Sequence, residues 1–201
     1  MPSLRDLVRQ ETRPAHEALE ATALMLAFAT GAFSATQYRR YLGLQLALHA
    51  PLEAALTAWW PTADAAQRLC KADWLRADLA GLGETNWGAT AAIPPITSRA
   101  QAMGAMYVLE GGTLGLQVVR KRLQDEHPAL QGADRFLRGY GTDTGLRWRS
   151  FVTAMDALPA EQWPAATASA CATFAAFETA FQSANQPANQ PAFQPAFPDP
   201  A

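Results

Sequence analysis

The amino-acid sequence predicts an all-α fold, a single helical bundle, and three observations lead there. Leucine and alanine recur at three- and four-residue intervals through most of the first 183 residues, the spacing that gathers apolar side chains on one helix face. Helix-starting serines and helix-stopping glycines and prolines separate these stretches. Apolar runs of period two, bounded by hairpin turns, are almost absent, so strands are not expected.

From Ser3 to Phe28 the spacing is helical, with Thr12 as a candidate N-cap and Pro14 in the first turn of a second segment; a kink near Pro14 is the alternative. Ser34 and Gln37 have the capping-box spacing and open a helix running toward Trp59, which Pro51 is expected to bend. Asp64 to Leu79 reads as one amphipathic helix stopped by Gly81 and Gly83. Asn86 to Pro95 reads as a loop. A long helix follows from about Ser98 to Gln124, ended near His127-Pro128. Asp134 to Trp148, punctuated by Gly139, Gly141 and Gly145, reads as a short helix and a loop leading into a helix that ends near Leu158, and a last helix spans about Glu161 to Ser183.

With 201 residues, 49% of them hydrophobic, the chain can bury one substantial core. The expected organisation is one helical domain, 1–183, and a tail, 184–201, whose Asn-Gln-Pro-Ala repeats read as disordered or polyproline-like. The net charge of −2 mixes both signs along the chain, which gives no basic field for nucleic acid or anionic lipid. No apolar stretch approaches the roughly 20 residues of a membrane span and no leader is recognisable, so a cytoplasmic protein is expected. Cys70 and Cys171 lack a paired spacing and read as reduced core thiols.

The most informative feature is a glycine cluster inside the longest helix: Gly111, Gly112 and Gly115 within Tyr-Val-Leu-Glu-Gly-Gly-Thr-Leu-Gly-Leu. Each glycine costs a helix interior about 1 kcal/mol relative to alanine. At intervals of three and four they open one side of the helix to a flat ligand. Of the three histidines, His49 lies among apolar positions and reads as a satisfied core residue, and His127 sits at a helix end. His16 differs: Thr12, Arg13, Glu17 and Glu20 are polar groups suited to orienting an imidazole, and Leu19, Ala23 and Leu24 are apolar neighbours.

Leu4 to Glu20 resembles the histidine-bearing N-terminal motif of bacterial heme oxygenases, Tyr107 to Gly115 resembles their distal helix, and Tyr140-Gly141 through Gly145 to Trp148 and Phe151 resembles their third characteristic stretch. The resemblance covers about Leu4 to Phe181 and is nearest to the heme oxygenases that supply biliverdin to bacteriophytochromes. It implies a heme oxygenase-like helical domain that oxidises heme, both cofactor and substrate, to biliverdin with release of carbon monoxide and ferrous iron. His16 would ligate the iron, and the bare backbone at Gly111, Gly112 and Gly115 would form the opposing, catalytic wall. Glu20, Leu116 and Tyr140 would line the cofactor site, and Arg9, Arg13 and Arg149 would face its propionates. No dinucleotide-binding turn is present, so electrons are expected from a ferredoxin, flavodoxin or reductase.

The chain departs from relatives at two places. Gly112 stands where some carry a carboxylate, and Leu116 where many carry a small residue. Leu116 is expected to turn into helix packing and leave turnover intact. A non-catalytic heme carrier or sensor is the alternative if it does not. A thiamin-like hydrolase and a purely structural bundle are the remaining readings, and the first lacks a histidine near either cysteine to activate a nucleophile.

Overall fold

Nine α-helices follow one another in a computed structural model that describes residues 3–60, 62–84, 87 and 90–183; no strand occurs among the described residues. They are α1 (Leu4–Glu20), α2 (Ala23–Thr30), α3 (Ala35–Leu56), α4 (Thr62–Arg68), α5 (Lys71–Gly81), α6 (Arg99–Glu126), α7 (Arg135–Arg138), α8 (Thr144–Asp156) and α9 (Trp163–Ser183). The expected tail, 184–201, and Asn86, Gly88 and Ala89 of the expected loop lie outside the described residues.

Local chemistry sets most boundaries. Ser3 and Ser34 close capping boxes with Asp6 and Gln37, and Ser98 caps α6 through the Gln101 amide. Two helix starts are capped from a distance instead. Glu53 on α3 accepts from the Lys71 and Ala72 amides at the start of α5, and both oxygens of Asp78 accept from the Arg135 and Phe136 amides at the start of α7. These carboxylates meet the orphan donors of a helix N-terminus.

Two expectations need correction. Thr12 is no cap: it lies buried inside a continuous α1, its hydroxyl donating to the Val8 carbonyl, and the chain breaks at 21–22 instead. Pro14 is tolerated because it sits on the exposed side, where the Gln10 carbonyl it cannot pair is left to water. The single helix expected over Asp64 to Leu79 is two, α4 and α5, parted at Leu69 and Cys70. Pro51 lies inside α3, which runs on through it as expected. Its missing N–H releases the Ala47 carbonyl, and the Ala91 amide of the connection between α5 and α6 takes that place at 3.0 Å. One turn earlier, the Trp87 ring fills the notch left by Gly43, where an added Cβ would stand 1.7 Å from it.

The core is built around α6, which packs on α9 as α1 does. Contact is tightest at Gly104, where an added Cβ would lie 2.0 Å from the Ala166 carbonyl oxygen. Ser169 reinforces it by donating to the Gln101 carbonyl at 2.8 Å.

His49 is the satisfied core residue its context implied: buried, with Nδ1 donating to the Gln45 carbonyl and the ring meeting Phe136 and Phe177 edge-on. Burial depresses its pKa to about 3 from 6.5, with the Lys71 charge adding to the effect. The unfolded chain therefore binds a proton below pH 6.5 that the folded chain refuses, so stability present above pH 6.5 is lost as the pH falls toward 3. The expected slope is at most about 1.4 kcal/mol per pH unit. His49→Leu should remove that part of the acid sensitivity in urea titrations run across this range; an unchanged slope would contradict it.

Candidate functional site

Most of the first half of α6 is enclosed: Ala100, Ala102, Met103, Ala105, Met106, Val108, Leu109 and Glu110 are all buried. From Gly111 the helix changes character. Gly112 and Gly115 are exposed and nothing stands within 4 Å of a Cβ added at either, and Leu114 and Val118 beside them are 44% and 61% exposed. An apolar, partly naked face on the central helix is a surface that a large apolar ligand would cover. Gly111 is partly screened, with the Trp148 ring of α8 3.7 Å from its Cβ position.

Leu116 takes the second of its two geometries, buried at 7% in the hydrophobic core and directed away from the open face. The spacing explains this. At about 100° per residue, Gly112 and Gly115 straddle one direction, and Leu116 falls outside the arc they bracket.

Tyr107 of α6 lies on the side toward α1. Its hydroxyl is near Thr12; burial raises its pKa, and the charges of Arg5 and Arg9 oppose the rise. Tyr107 lies one turn before Gly111, and Thr12 one turn before His16. Each candidate element is thus about 6 Å along its own helix from one of these two residues.

His16 is exposed, its side chain 51% accessible, with Nδ1 3.4 Å from Glu20 Oε2 and its ring edge-on to Phe174 of α9 at 5.6 Å. A carboxylate beside Nδ1 fixes the tautomer that leaves Nε2 as a free donor atom for a metal. Arg9 and Arg149 are exposed and form no salt bridge among the described residues. Arg13 pairs weakly with Glu17 at 3.9 Å on open surface. An imidazole nitrogen, exposed cations and an apolar, open helix face are the residue types that a planar, dianionic, iron-bearing ligand requires, so the chemistry present fits heme.

Tyr140 belongs to a polar cluster behind the glycines. Its hydroxyl donates to Glu110 Oε1 at 2.7 Å and accepts from Lys71 Nζ at 2.8 Å, while its ring rests against Trp74 and the Arg147 guanidinium. Burial and the Glu110 charge hold that hydroxyl protonated far above its usual range. Glu110 also accepts from Lys71 Nζ and from Arg68 Nη1, both at 2.8 Å. Arg68 goes on to Asp64 and to the Arg147 carbonyl. Glu110, Arg68 and Lys71 are all buried, and fully bonded charges are what such a site requires. Sequence reasoning missed this cluster because its members lie about 30 to 70 residues apart and only folding joins them. It also missed Tyr107, although the four-residue step to Gly111 put both on one face.

The cysteines carry no chemistry here. Both are free and half-buried, and burial pushes the Cys70 thiol up to about 11, away from the thiolate a nucleophile needs.

The heme oxygenase family model matches residues 3–183. Among solved structures, the heme oxygenase of Neisseria meningitidis, determined with NO and CO bound, is 23% identical with a TM-score of 0.72 over 91% of this chain and 92% of that one. Heme oxygenase-1 of the cyanobacterium Synechocystis, in complex with heme, is 16% identical with a TM-score of 0.72, covering 92% and 93% of the two chains. The heme oxygenase of Leptospira interrogans is 18% identical with a TM-score of 0.67, covering 90% of this chain and 100% of that one. These likenesses establish the fold. No curated protein sequence matches significantly. No helix among the described residues is long and apolar enough to cross a membrane. The family match over nearly the whole folded region makes the conclusion plain: the chain belongs to the heme oxygenase family, as an enzyme that uses dioxygen and a reductant to degrade heme, its substrate and prosthetic group, to biliverdin.

Proposed function

We propose that heme lies between α1 and the open face of α6, with His16 Nε2 as the iron ligand and the backbone of Gly111, Gly112 and Gly115 as the opposite wall. The observation that carries this is the exposure of Gly112, Leu114, Gly115 and Val118 on a helix whose first half is mostly buried. When bound, heme supplies an iron centre that activates dioxygen beside the porphyrin edge to be opened.

The chain's own groups do the rest. Glu20, 3.4 Å from Nδ1, orients the His16 ring. Arg9, Arg13 and Arg149 offer charge-assisted hydrogen bonds to the propionates, and Tyr107, beside Arg9, adds a hydroxyl at the same mouth. The glycines let main chain approach the ring plane where any side chain would strike it, and their polar groups can hydrogen-bond ligand or water on that side. Leu116, turned into the core, leaves this space clear and serves the site only through packing.

Residues 1–183 form the heme-degrading unit in this reading, and 184–201 are an appendage to it. Electrons come from a separate ferredoxin, flavodoxin or reductase, because the chain offers no nucleotide-binding turn. A cytoplasmic bacteriophytochrome is the receiver that the sequence resemblance suggests for the biliverdin.

Gly115→Leu tests the wall. With nothing within 4 Å of its Cβ, the variant should fold as well as the parent. It should nevertheless bind hemin more weakly, or bind it and fail to form biliverdin with reductant and oxygen. Parental hemin affinity and full turnover in this variant would reject the wall.

A further inference from the structure

The buried side of α6 carries a second stripe that the open face does not explain. Glu110 bonds Tyr140, Thr113 lies against Gly139, the Gln117 amide donates to the Arg138 carbonyl at 2.8 Å, and Arg120 pairs with Asp134 at 2.9 Å. Positions 110, 113, 117 and 120 lie on one side of a helix, and at about 100° per residue their mean direction is roughly opposite that of 111, 112 and 115. Glu110, Gln117 and Arg120 are each held by the segment 134–140, and Thr113 packs beside it.

Glu110 is the strongest of these attachments. It immediately precedes Gly111, and its two oxygens gather Lys71 of α5, Arg68 of α4 and Tyr140. Arg68 also bonds the carbonyl of Arg147, next to Trp148, the residue that touches the Gly111 position. One buried cluster therefore fixes both α6 and the ring beside its first glycine. Glycines leave a helix free of side-chain contacts on their own face, so rotation about the helix axis has to be set from the other side.

Resting on the heme placement proposed above, we infer that Glu110, through Lys71 and Arg68, and Gln117 are positioning residues: they set the rotation of α6 and so the height and direction of the glycine wall over the iron. None of them faces the ligand. Geometry at the reacting atoms is sensitive to this, since a displacement of about 1 Å can cost on the order of 100-fold in rate.

The test uses the full-length protein reconstituted with hemin, comparing wild type, Lys71→Met and Gln117→Leu, with His16→Ala as the control. Lys71→Met removes one cation but leaves Glu110 paired with Arg68 and Tyr140. Gln117→Leu sits at the partly exposed edge and disturbs no buried charge, so it keeps the test open if the first variant does not fold. Both variants are expected to keep histidine ligation and hemin affinity within roughly twofold, yet to shift the C–O stretch of the ferrous carbon monoxide complex and to slow single-turnover biliverdin formation roughly tenfold. An unmoved C–O stretch together with a wild-type rate in folded variants overturns the inference. If His16→Ala itself retains the parental histidine ligation, the heme placement fails instead, which separates the two.

Discussion

His16→Ala is expected to abolish the histidine-ligated spectrum of the hemin complex and to end biliverdin formation, while the protein unfolds at nearly the parental temperature. The two halves of this expectation have separate causes. The imidazole is 51% accessible and touches little besides Glu20 and the edge of Phe174, and exposed truncations of this kind stay within about 0.5 kcal/mol. Heme, by contrast, would lose the one protein atom bonded to its iron. Added imidazole should occupy the vacated space and restore much of the ligand spectrum. A ferric spectrum identical to the parent's in the variant would show that another residue holds the iron.

Gly104→Ala is expected to produce the largest loss of stability of any single methyl group added to this chain. The new carbon would stand 2.0 Å from the Ala166 carbonyl oxygen and 2.9 Å from the Ala170 nitrogen. Both are backbone atoms, so no rotamer change relieves the clash and α6 and α9 must part. Overpacking a close-packed interior costs about 1–3 kcal/mol and more where main chain has to move. Because α9 also carries α1, with Phe174 against His16, hemin binding should weaken along with the urea midpoint. Gly112→Ala is the informative comparison: its Cβ meets nothing within 4 Å, and it should gain helix propensity without strain. Equal stability losses in the two variants would contradict the assignment of Gly104 to packing and Gly112 to the ligand face.

Much of this was legible in the chain because it is local. The Ser34–Gln37 box and the start and end of α6 at Ser98 and His127 depend on neighbours within a few positions, and the glycine cluster announces an open face by its spacing alone. Pro14 misled, because a proline's cost depends on what becomes of an orphaned carbonyl. Pro14 leaves its carbonyl to water, and Pro51 leaves one that Ala91, forty positions away, fills. No local signal carries that information. The Glu110 cluster was invisible for the same reason, since a lone glutamate beside two glycines gives no hint of the lysine and arginine that folding will bring to it. Leu116 was the position at which spacing posed the right question, and burial in the core answered its direction.

A crystal structure of the hemin complex addresses the heme placement most directly. It should place His16 Nε2 on the iron and the main chain of Gly111, Gly112 and Gly115 across the opposite face of the ring, with Leu116 still in the core. Iron bound to any other side chain, or a porphyrin lying away from this stretch of α6, would contradict the account.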